Sequence, residues 1–89
     1  MQGGYAMSFN DAVVERILAL LKERNMTRYR LEQLSGVEHG HMHRIMKHRR
    51  KNITLKTVAL LAKGFDMSLS EFLNDPLFSY ENLDMNEEE

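Results

Sequence analysis

The stretch "RYRLEQLSGVEHGHMHRIMK", residues 28–47, carries the decision about the fold. Leu31 and Leu34 stand three apart, the spacing that turns one face of a short helix inward. Thr27 precedes them as a cap, and Gly36 follows as the residue that most easily takes the left-handed conformation ending a helix. Met42, Ile45 and Met46 then resume the apolar spacing, so a second helix begins near Glu38 or His39. His39, His43, Arg44 and Lys47 fall on its other side. The two methionines sit at core spacing, where the flexible thioether fills irregular gaps, and are assigned to packing. The reading is two short helices joined by a glycine turn, the second with a cationic outer face.

The same punctuation extends both ways. Ser8 or Asn10 caps an earlier helix with Val14, Ile17, Leu18 and Leu21 inward, ending at Arg24 and Asn25. After the loop "HRRKN", Thr54 caps a helix that turns Leu55, Val58, Ala59 and Ala62 inward. "SLSEFL" supplies a capping box, Ser68 with Glu71, followed by Phe72 and Leu73. Five helices this short are marginal alone and must pool their apolar faces in one core. The 89 residues suffice for one small domain. Residues 1–9 have no periodicity and are expected outside the fold, disordered or vector-derived; 10–75 form the helical domain and 76–89 an acidic extension. At the junction Asp75-Pro76 ends the fifth helix. Leu77, Phe78, Tyr80, Leu83 and Met85 are too apolar for a solvated tail and are expected to dock on the core or on a twin subunit.

Composition removes several classes of function. With no cysteine there is no disulfide or thiolate metal site, and the longest apolar run, cut short by Lys22, spans no membrane. A cytoplasmic location is the expectation. The net charge of −1 hides a division. Lys22, Arg24, Arg28, Arg30, Arg44, Lys47, Arg49, Arg50, Lys51 and Lys56 make the middle basic, whereas no lysine or arginine follows Asp66. A basic middle points to a polyanion. His39 and His43, four apart on a helix, have the spacing to share an ion, but His41 points elsewhere and the surrounding cations repel a divalent metal. No metal or other cofactor is expected. A histidine with neither nucleophile nor orienting carboxylate is no catalytic site, so no catalytic residue is assigned and the chain is read as not an enzyme.

From Ala12 to Leu73 the chain resembles the lambda-repressor-like, Cro/repressor-type helix-turn-helix proteins, the XRE family. The resemblance is most specific between Arg28 and Lys47, where Leu31, Gly36, Val37, Met42 and Ile45 occupy the motif's spaced positions; "KNITLKTVALLAKGFDMSLSEFL" is similar to the family's two closing helices. It implies an all-α, compact five-helix domain that lays its second motif helix in the major groove of double-stranded DNA. His39, Gly40, His43 and Arg44 then match base-reading positions. Thr27, Arg28, His41, Lys47, Arg49, Arg50, Lys51 and Asn52 are placed for phosphates, which position the protein without specifying sequence. The implied function is a transcriptional regulator, a repressor acting by operator occupancy as a homodimer. The rival is a protein-interaction module, or an antitoxin-type partner, that keeps the fold; Glu32 and Glu38 near the groove lend it weight. Two residues depart from the family pattern. Glu32 stands where a small residue is usual and must tilt outward or pair with a residue such as His43 or Arg44. Asp66 stands at a tight turn where glycine is common.

Overall fold

The computed structural model describes residues 6–47 and 52–85. Five helices follow in order: α1, Phe9–Glu23; α2, Arg28–Ser35; α3, His39–Lys47; α4, Leu55–Gly64; and α5, Leu69–Leu73. Local chemistry sets their ends. The hydroxyls of Ser8, Thr27, Thr54 and Ser68 each accept a backbone N–H of the first turn that would otherwise lack a partner. At Ser68 the Glu71 carboxylate completes the capping box by accepting the Ser68 N–H at 2.7 Å. Gly36 ends α2 at φ +80°, and Asn25 and Asp66 take the left-handed conformation at φ 53° and 60°. Asp66 thus does the turn's work without the glycine usual in the family, an amide or carboxylate side chain being tolerated there.

The core gathers Val13, Val14, Ile17, Leu20 and Leu21 of α1, Leu31 of α2, Met42 and Ile45 of α3, Val58, Leu61 and Ala62 of α4, with Phe65 and Phe72. Three leucines read as inward from spacing are exposed: Leu18, Leu34 and, at 65 %, Leu55. In α1 the buried stripe runs through Val13, Val14, Ile17 and Leu20, which leaves Leu18 about 100° off its centre. Leu55 is the first residue of α4 and lies beyond the core's edge. In α2 the buried arc is Leu31, Glu32 and Ser35, so Leu34 falls off it.

Ser35 faces inward because α2 and α4 approach closely. A Cβ on Gly64 would stand 2.8 Å from Leu31 Cδ1, 2.9 Å from Ser35 Cβ and 3.2 Å from Ser35 Cα. Only glycine fits against that seam. Two arginines fasten other helix ends. Arg24 donates to the Phe65 carbonyl at the end of α4 and lies over the Phe65 ring. Arg16 donates to the carbonyls of Phe72 (2.7 Å) and Glu71 (3.1 Å) and pairs with Asp75 at 3.2 Å.

At its N-terminal end the fold starts earlier than expected. Met7, Ser8 and Phe9 belong to the fold: Ser8 is the cap, Phe9 opens α1, and Met7 forms an isolated parallel bridge with Leu83. Its amide donates to the Asn82 carbonyl at 3.0 Å, and its carbonyl accepts the Asp84 N–H at 2.9 Å. Aperiodic sequence concealed this, because a single bridge has no repeat. Asn10 is no cap; it is buried, and its Oδ1 accepts the Ile53 N–H at 3.1 Å. Beyond α5 the chain makes two single-turn 3-10 helices, Pro76–Phe78 and Tyr80–Asn82. The first packs on α1, with Phe78 against the Phe72 ring. Leu83 is buried and Leu77 half-buried, while Tyr80 and Met85 are 80 % and 51 % exposed.

Candidate nucleic-acid interface

Helix α3 rests on α1 and α2 through Met42 and Ile45. With these two inward, the helical turn of about 100° per residue fixes the rest of its surface. His39, Gly40, His43, Arg44 and Lys47 fall within one arc of about 140°, and all five are exposed. The structure thus puts the four expected base-facing residues and Lys47 on a single outward face. His41 lies at the margin of the buried side and is half-buried.

The charge of this face is positive. Arg44 and Lys47 stand in the last turn of α3, where cations also complement the helix dipole. The Arg44 side chain lies back toward Gly40: a Cβ on Gly40 would be 3.7 Å from Arg44 Nη1, ordinary contact. Thr27 and Arg28 lie at the start of α2, where the exposed Thr27 hydroxyl accepts the Arg30 N–H at 3.0 Å and keeps its own O–H to donate. Asn52 is exposed just before α4. Arg49, Arg50 and Lys51 lie outside the described residues. Arg24, counted with the basic middle, is committed to α4.

Glu32 takes the second of the two courses expected from sequence, a pairing, but with a different residue. It does not tilt outward: the residue is only 9 % exposed, and its partner is His39, not His43 or Arg44. His39 Nδ1 lies 3.0 Å from Glu32 Oε2 and 3.2 Å from Oε1, a link from the first residue of α3 to the middle of α2. The reason is register. His39 opens α3 beside the inner face of α2, whereas His43 and Arg44 are a turn further along. The pair was missed because seven residues and a glycine turn separate its members. Arg16 and Gly64 were also missed; a lone cation beside the apolar stripe of α1 was the only trace of the first.

Among the described residues no group of three or more His, Asp or Glu side chains is arranged to hold a metal ion, and no helix is long and apolar enough to cross a membrane. A glycine turn between two helices, the second resting on the first and turning a cationic face outward, defines a helix-turn-helix DNA-binding protein. Residues 16–76 match the model of the Cro/C1-type HTH DNA-binding domain, and the chain belongs to that family. It is a DNA-binding regulator by class. No curated protein and no solved structure matches the chain.

Proposed function

We propose that the chain is a sequence-specific transcriptional repressor that occupies its operator as a homodimer in the cytoplasm. Helix α3 lies in the major groove with His39, Gly40, His43 and Arg44 toward base edges. Arg44 pairs its planar fork with the two acceptors of a guanine. Thr27, Arg28, His41, Lys47, Arg49, Arg50, Lys51 and Asn52 hold the phosphates to either side. The observation that carries this reading is the single outward arc of α3, histidine and arginine at its ends and glycine between them. One such helix reads only a few base pairs, so two half-sites about one helical turn apart supply the specificity. Tyr80 and Met85, exposed on the C-terminal extension, contribute to the dimer contact while Leu77, Phe78 and Leu83 anchor the extension on its own subunit. The acidic residues 87–89 weakly oppose nonspecific DNA contact.

The interaction-module reading drew on acidic residues near the groove; with Glu32 turned to His39, only Glu38 remains to favour it. Selection of bound sites from random duplex DNA tests the proposal. A single enriched palindrome is expected, with affinity falling steeply in salt at a slope of about −0.9 per phosphate contact. No duplex binding at low salt would reject it.

A further inference from the structure

The Glu32–His39 pair decides which hydrogen bond α3 offers to DNA at its first residue. A carboxylate only accepts hydrogen bonds, so the imidazole nitrogen facing it must carry the hydrogen. At 3.0 and 3.2 Å from the two oxygens, that nitrogen is Nδ1. In a neutral imidazole a hydrogen on Nδ1 leaves Nε2 bare, an acceptor. Nε2 is at the far edge of the ring, and the His39 side chain is 79 % exposed, so the acceptor faces outward. Glu32 is held in turn. It lies at the edge of the buried arc of α2 and is itself only 9 % exposed.

We propose that Glu32 is a positioning residue that fixes the His39 tautomer. His39 then reads a base carrying an amino group on its major-groove edge, adenine through N6 or cytosine through N4. Of the four bases only these two offer a donor there, while guanine and thymine oppose the bare nitrogen with their own acceptors. This assignment rests on α3 lying in the major groove, and it adds to that reading the base class seen by one residue and the buried carboxylate that sets it.

The experiment has two arms. Two-bond proton–nitrogen correlation spectra of the histidine rings in the DNA-free protein at pH 8 read the tautomer directly. The expected result is hydrogen on Nδ1 of His39 in the wild type and the mixture of an unconstrained imidazole in Glu32→Ala. That variant replaces the buried carboxylate with a small side chain, and its thermal unfolding is checked alongside. Hydrogen on Nε2 in the wild type would overturn the proposal.

The second arm compares sites selected by the wild type and by His39→Ala, which identifies the base that His39 reads. That adenine or cytosine is then replaced by the analogue lacking its exocyclic amine. The wild type should weaken about fivefold, and Glu32→Ala and His39→Ala by less than about twofold, the scale of one hydrogen bond. A guanine or thymine at the position, no position that depends on His39, or equal losses in wild type and Glu32→Ala would each overturn it. Failure to bind any duplex would reject the DNA function itself, and the tautomer arm keeps that outcome distinct.

Discussion

Gly64 and Gly40 have the same absent side chain and opposite surroundings. At Gly64 the missing Cβ is space already taken, because α2 lies against α4 with a Ser35 backbone atom 3.2 Å from where it would stand. At Gly40 it is space left open, with a flexible arginine tip at 3.7 Å the nearest atom. The buried seam therefore demands glycine for the fold to close. The outward face of α3 tolerates a methyl group as far as folding is concerned, and a glycine there lowers helix stability. A residue that weakens its own helix without a packing reason fits a surface that a large ligand must approach.

The strongest way to break the comparison is Gly64→Ala. The new methyl meets backbone as well as side chain, so the two helices must separate, and stability should fall by about 3 kcal/mol, the upper end of ordinary overpacking. Denaturant unfolding checks it; a loss no greater than that of a surface substitution would show that the seam is loose. Arg44→Ala, on the other face, should leave that unfolding curve in place. It should cost about 1–3 kcal/mol of affinity on the preferred operator and much less on random DNA. Equal losses on both would make Arg44 a phosphate contact.

Gly40→Ala sharpens the contrast because two signs are expected from one substitution. Stability should rise by up to about 1 kcal/mol, since alanine is the better helix former and no clash opposes it. Operator affinity should fall as the methyl enters the approach path of the bases. Unchanged affinity would mean that the backbone at Gly40 stays away from DNA. The smallest effect lies at α5, which belongs to neither region. The Ser68 backbone N–H and hydroxyl hold the Glu71 carboxyl below the ordinary glutamate range. A carboxyl with a depressed folded-state pKa adds stability above its unfolded value, and that stability is lost as pH falls through the folded one. Wild type should thus lose a small advantage over Glu71→Gln as acid takes the solution below about pH 4.3, measured by thermal unfolding.

The elements of the fold were legible where the signal is local and repeats. Caps at Thr27, Thr54 and Ser68, the stop at Gly36 and the inward residues Met42 and Ile45 can each be read within one or two turns. Where burial depends on the neighbouring helix, spacing misled. Leu34 and Ser35 stand about 100° apart on α2, and it is Ser35 that faces Gly64 where the two backbones come close, while Leu34 is left exposed. The outward face of α3 followed from its apolar stripe by subtraction. What Glu32 and Arg16 do could not follow, since each has partners on other helices, Phe72 lying 56 positions from Arg16.

The bridge between Met7 and Leu83 turns an open chain into a near ring. Two points at opposite ends of the fold are held one strand spacing apart, about 5 Å, and a peptide of a few residues would join them. The order in which the helices are synthesised is then separable from the order in which they pack. A permuted chain that begins in the loop between α3 and α4, with residues 83 and 7 linked, would keep every helix whole. It would move α1, α2 and α3 behind α4 and α5 and cut the polypeptide near its most cationic run of sequence.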